Sequence, residues 1–183
     1  LGRDRTSEEQ GRVRKATSAL VGPSVWIAVR LPDRLTYHEA ELGVVIGRRT
    51  ANIAEAEALS AIAGYAIALD MVVRGPEDRS LRKSVDSYAV LGPWMVTADE
   101  FGDPSAIGFS LAVNGEVRQT ANTREMIMSI PRQIAWASTF YTLHPGDIIM
   151  TGTCQGVGRV LPGDSISVEF DRIGKMEVAV RAA

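Results

Sequence analysis

The chain has 183 residues, 45% of them apolar and 23% charged, proportions that suit one globular domain with a sizeable buried core. Its 20 Lys and Arg against 22 Asp and Glu leave a formal charge of −2, so no strong positive field exists to hold phosphate backbones or anionic lipid, and neither nucleic acid nor membrane is an expected partner. A single cysteine, Cys154, excludes an internal disulfide and a multi-cysteine zinc site, and with no signal-like opening segment the expected compartment is the cytoplasm.

Residues 1–15 are polar and charged without apolar period and predict a mobile N-terminal arm, with the folded domain over 16–183. The start at Leu1 rather than Met suggests part of a longer chain. Val25 to Arg30 and Tyr37 to Ile46 read as strands, the second ending in the continuous apolar run L-G-V-V-I of a strand buried on both faces. Residues 55–64 predict a helix, with Glu55 and Glu57 complementing its positive end. Ala66 to Val73 turns β-branched and apolar, interrupted by Asp70.

A charged loop follows, poor in apolar anchors from Gly75 to Leu81 and so expected to be mobile. Asn114-Gly115 between alternating segments is a strong hairpin signal. Thr123 to Leu143 is amphipathic but divided by Pro131, which belongs in the first turn of the second piece. The strands S-I-S-V-E-F and K-M-E-V-A-V meet at Arg172 to Gly174. The sum is a mainly β, mixed α+β single domain with two or three helices packed outside.

In Tyr37-His38-Glu39-Ala40-Glu41 the strand alternation puts Glu39 and Glu41 on one face and His38 and Ala40 on the other. Two ionised carboxylates this close repel unless a cation lies between them; an isolated E-x-E is otherwise a solvated strand face. Asp70 sharpens the choice, because a carboxylate inside an apolar strand must be paired or must coordinate a metal. Arg74 is one candidate partner. As a metal set, three hard oxygen ligands without thiolates suit Mg²⁺, Mn²⁺ or Ca²⁺ rather than zinc.

The blocks E-A-E-L-G-V-V-I-G-R, G-Y-A-I-A-L-D-M, L-G-P-W-M-V-T-A-D-E, V-N-G-E-V-R-Q and T-L-H-P-G-D-I-I-M-T-G-T, in this order, resemble the fumarylacetoacetate hydrolase family over roughly residues 15 to 181. The resemblance implies a rolled β-sheet fold, a homodimer, and a divalent metal, Mg²⁺ first, held by Glu39, Glu41 and Asp70. It further implies a small 2-oxo acid substrate, with Lys83 as the catalytic cation beside the developing oxyanion and Arg74, Lys83 and Thr153 as substrate-binding residues. The activity implied first is metal-dependent hydrolysis of a carbon–carbon bond in an acylpyruvate such as fumarylpyruvate. Isomerase or decarboxylase action on an unsaturated 2-oxo diacid in aromatic catabolism is the alternative, and a catalytically silent oxo-acid binder a third reading.

Three departures stand out. Glu77 occupies a place where the family often has Gln, and a carboxylate there would repel an anionic substrate. Cys154 follows T-G-T where proline is usual, and reads as a small buried filler. Hydrolytic members carry an H-x-x-E dyad on an N-terminal lid, whereas the two histidines here are His38, pointing away from the acidic face, and His144, in a turn.

Overall fold

Two chain reversals organise the molecule, a computed structural model that describes residues 13–183. The first runs from β3 (Leu35–His38) and β4 (Ala40–Ile46) through a 3-10 segment (Glu55–Ala61) into β5 (Ile62–Asp70) and β6 (Val72–Arg74). The expected helix over 55–64 is therefore shorter and tighter. Residues from Ile62 onward are captured by antiparallel pairing with β4, with Ile46 opposite Ile62 and Val44 opposite Tyr65, and sheet pairing overrides a local helical preference. Gly64 permits a close approach on that strand, because a Cβ there would lie 2.3 Å from the Val96 carbonyl oxygen.

The second reversal is the predicted hairpin. β9 (Gly108–Val113) and β10 (Glu116–Asn122) join at Asn114 and Gly115, both with positive φ, 52° and 82°, as a tight primed turn requires. β9 also pairs with β13 (Ser165–Phe170), which pairs with β14 (Gly174–Ala182). Inward residues Ile166, Val168, Met176, Val178 and Val180 are buried, while Glu169 and Lys175 face out, the alternation expected of a sheet with one wet face.

Three sheets result. The six-stranded one holds β4 and β5 with β1 (Leu20–Val21), β7 (Ala89–Leu91), β8 (Val96–Thr97) and β11 (Ile148–Met150); the five-stranded one adds β2 (Ile27–Val29) to the hairpin strands; and β12 (Gly158–Val160) joins β3 and β6 in the third. All contribute to one apolar core, for example Leu42, Ile67, Val73, Val160 and Val168. Helices α1 (Arg79–Lys83), α2 (Ala98–Phe101) and α3 (Ile130–Phe140) lie outside, so the mainly β architecture with flanking helices is as expected. α3 starts where Pro131 predicts, with the Ser129 hydroxyl accepting from Arg132 N–H at 3.3 Å. No helix among the described residues is long and apolar enough to cross a membrane.

The expectation of two unbroken strands is corrected. The strand Tyr37 to Ile46 is interrupted at Glu39, and Ala66 to Val73 at Met71. The loop before Lys83 has polar anchors instead of apolar ones: Glu77 pairs with Arg34 at 3.1 Å and Asp78 caps α1 by accepting from Ser80 N–H at 2.7 Å. Of the predicted arm, residues 1–12 lie outside the described residues.

Candidate functional site

The two strand interruptions coincide. Ala40 stands opposite Leu69 in the six-stranded sheet and Tyr37 opposite Val72 in the three-stranded one, the same register on both sides, so Glu39 faces Asp70 where the paired chain passes from one sheet to the other. Asp70 N–H donates to the Glu39 carbonyl across this seam at 2.9 Å. Side chains opposite one another in a strand pair share a face, and Glu41, two residues on, shares it too. The carboxylate oxygens of Glu39, Glu41 and Asp70 lie within 4.8 Å of one another, all three residues buried.

Two lysines complete the cluster. Lys83, carried by α1, donates to Glu39 Oε2 at 2.7 Å and to Asp70 Oδ2. Lys15 donates to Asp70 Oδ1. The partner of Asp70 is thus this lysine pair. Arg74 lies instead against Glu39 at 3.5 Å, with its guanidinium 4.8 Å from the centre of the Tyr37 ring. Lys15 corrects the picture of a poorly packed arm: its side chain is 14% exposed.

Electrostatics follow from burial and count. Burial first, and Asp70 second, push the Glu41 carboxyl up to about 8, against the opposing pull of Lys83 and of Gly152 N–H, which donates to Glu41 Oε2 at 2.7 Å. Burial also works against Lys83, but Asp70 and Glu39 together outweigh it and hold the ammonium above its ordinary value. Lys15 has one carboxylate partner rather than two, and for it burial wins and lowers the value. The cluster therefore sets three buried carboxyl groups, Glu41 among them with its value raised, against two lysines. Hard oxygen donors around a carboxyl whose proton is favoured first by burial and then by Asp70 fit a divalent cation, which would displace that proton on entry.

The cluster opens into a cleft of about 1470 Å³, also lined by Arg74, Thr153 and Cys154. The Thr153 hydroxyl donates to the Ala40 carbonyl at 2.8 Å, and Gln119 donates to its oxygen at 2.7 Å. Cys154 is half-buried at the cleft wall rather than a buried filler; it donates to the Gln155 carbonyl at 3.1 Å, and burial raises its thiol value. Glu77 is turned to Arg34 and is not among the residues lining the cleft, so the repulsion expected from it does not arise there. His38 is fully buried on the opposite side from the carboxylates, its Nδ1 3.2 Å from Gln119 Oε1, with burial lowering its pKa. His144 is exposed in its turn. Neither lines the cleft.

Sequence reasoning missed Lys15, Gln119 and the Gly152 amide. Lys15 ends a charged stretch like any other, and Gln119 sits in a polar strand. The T-G-T sequence alone hinted at Gly152.

Fold and site together define a β domain with a buried cluster of three carboxylates, able to hold a cation, in an open cleft. The chain belongs to the fumarylacetoacetate hydrolase family: the model of the fumarylacetoacetate (FAA) hydrolase C-terminal domain matches residues 5–181. It is 49% identical over 175 residues to a maleylpyruvate hydrolase of Aquipseudomonas alcaligenes, covering 96% of this chain and 61% of that protein. The crystal structure of maleylpyruvate hydrolase from Sphingobium sp. SYK-6 in complex with manganese (II) ion and pyruvate superposes with a TM-score of 0.88 at 44% identity, covering 92% of this chain and 63% of that one. A 4-hydroxyphenylacetate degradation bifunctional isomerase/decarboxylase of Salmonella dublin is 39% identical over 152 residues, 79% of this chain and 35% of that protein. The chain thus spans about three fifths of the length of these two hydrolases.

Proposed function

We propose that the chain forms the metal-dependent catalytic part of an acylpyruvate hydrolase, acting on a 2,4-dioxo acid of the maleylpyruvate or fumarylpyruvate type. The observation that carries this reading is the meeting of Glu39, Glu41 and Asp70 with Lys83 at one buried seam that opens into a cleft. The similarity to hydrolases of such acids supports it.

In this reading Glu39, Glu41 and Asp70 hold Mg²⁺ or Mn²⁺, which when bound supplies Lewis acidity toward a chelating 2-oxo acid. Lys83, kept charged by Asp70 and Glu39, stabilises the negative charge that develops on the substrate oxygen. Arg74, 40% exposed and stacked on Tyr37, offers its guanidinium to a substrate carboxylate. Water adds to the C4 carbonyl, the C3–C4 bond breaks, its electron pair passes into the enolate of pyruvate, and a proton returns to C3. Activation of that water is not assigned to His38 or His144, which lie away from the cleft.

Isomerase or decarboxylase action is the second reading. The lysine-flanked carboxylates suffice for enolate chemistry, the histidines stand outside the cleft, and an isomerase/decarboxylase is among the relatives. One experiment separates the readings: maleylpyruvate, fumarylpyruvate, oxaloacetate and an unsaturated 2-oxo diacid are incubated with the protein, with and without Mn²⁺. Mn²⁺-dependent release of pyruvate from the acylpyruvates is expected, and conversion of the diacid alone would overturn the hydrolase reading. We further propose a homodimer, as the family resemblance implies; a monomer at micromolar concentration in sedimentation would contradict it.

A further inference from the structure

The residue that joins the two glutamates has an unusual set of partners. Because Asp70 N–H donates to the Glu39 carbonyl, the facing pair Ala40 and Leu69 exchanges no ladder hydrogen bonds of its own, and Ala40 N–H and C=O point away from β5. On that other side β11 would be the neighbour, yet its pairing with β4 covers only Gly43 to Val45. Thr151 extends the contact to the Leu42 carbonyl, through its N–H at 3.2 Å and its hydroxyl at 2.9 Å. At Ala40 the strand has run out, and backbone groups left unpaired in a buried segment are costly.

Side chains take the strand's place. Gln119 Oε1 accepts from Ala40 N–H at 3.0 Å, Thr153 Oγ1 donates to the Ala40 carbonyl at 2.8 Å, and Gln119 Nε2 donates to Thr153 Oγ1 at 2.7 Å. The three bonds close a ring over one residue, Ala40, and so hold both peptide units that link the two glutamates. Gln119 is 1% exposed, and its amide has one workable orientation, because a flipped amide would set its NH₂ against Ala40 N–H. His38 Nδ1, 3.2 Å from the same Oε1, therefore acts as the donor there and steadies the amide from behind. Gln119 Nε2 also reaches the Cys154 carbonyl at 3.3 Å, tying in the loop that carries Gly152.

We propose that Gln119 is a positioning residue for the acidic site: with Thr153 it replaces the missing strand at Ala40 and thereby fixes the separation of Glu39 and Glu41. This rests on the metal reading above. It also gives the Thr153 hydroxyl a role inside the protein, since its hydrogen is committed to Ala40.

The test is Mn²⁺ titration of the full chain at a temperature where circular dichroism shows each variant folded. Gln119→Met and Thr153→Val each raise the Mn²⁺ dissociation constant by about tenfold or more, the range typical of lost outer partners of metal ligands. The double variant is little worse than the weaker-binding single, because one ring is broken either way. Thr153→Ser, which keeps the hydroxyl, restores affinity to within about threefold of the unaltered chain. A purely structural role would lower the melting temperature while leaving the dissociation constant of the folded variants unchanged, and that result overturns the proposal. Should Gln119→Met not fold, the contrast of Thr153→Val with Thr153→Ser decides alone: equal Mn²⁺ affinity in the two overturns it. Failure of the underlying metal reading is distinct, because the unaltered chain would then bind no Mn²⁺.

Discussion

The five-stranded sheet and the seam between the other two sheets handle polar groups in opposite ways. In β13 and β14 the side chains alternate, Ile166 and Val168 buried against Glu169 and Lys175 in solvent, and the two strands pair with each other across a short turn. At the seam, Glu39, Glu41, Asp70 and His38 are buried where strands are interrupted, and side chains from distant segments replace strand neighbours. One region minimises buried polarity, while the other concentrates it and balances it with Lys15 and Lys83. A region organised in the second way is stabilised less by area than by complete pairing, so small chemical changes there should alter function far more than changes of equal size in the sheet.

The largest expected effect comes from Asp70→Asn, which removes the charge shared by both lysines at nearly constant volume. Divalent-metal-dependent turnover should fall by at least about 100-fold with the circular dichroism spectrum retained; turnover near that of the unaltered chain would remove Asp70 from the site. Lys83→Met should lower kcat by about 100-fold, as loss of one oxyanion-stabilising donor does, and an effect confined to KM would make Lys83 a binding group only.

Acidity sharpens the contrast further. Glu41 has a folded-state value of about 8 against an ordinary 4.5, raised first by burial. Its contribution to the stability of the metal-free protein is therefore fully present below pH 4.5 and is lost as pH rises through about 8. Mn²⁺ requires the ionised carboxylate, so its affinity should climb with pH and level off above about 8, and calorimetry in buffers of different ionisation enthalpy at about pH 7 should register close to one proton released per ion. Affinity independent of pH would mean that Glu41 is already ionised before the metal arrives.

The smallest effect belongs to the sheet. Ile166→Val should cost about 1 kcal/mol, a lowering of Tm by about 2–4 °C for a chain of this size, and should leave kcat and Mn²⁺ affinity of the folded protein unchanged. A loss of metal affinity there would mean that the two regions are coupled.

What could be read from the sequence follows the same division. The Asn114-Gly115 hairpin and the β13–β14 pair obey rules that operate between neighbours in sequence, and so were legible. Glu39 and Glu41 were legible because strand alternation alone places them on one face, and Asp70 because a lone carboxylate in an apolar run demands a partner. The partner's identity was not, since Lys15 lies 55 residues from Asp70 and a lysine closing a polar stretch carries no mark of burial. Gln119 lies 79 residues from Ala40 and was hidden for the same reason. The helix expected over 55–64 failed at Ile62, where pairing with Ile46 outcompeted local preference.

Whether the seam holds one divalent ion is the most direct test of the acidic site. Free Mn²⁺ can be followed by electron paramagnetic resonance during titration of the unaltered chain and of a variant carrying Glu39→Gln, Glu41→Gln and Asp70→Asn. One ion bound per chain by the former and none by the latter is the predicted result; equal binding by both, or no binding by the unaltered chain, would contradict it.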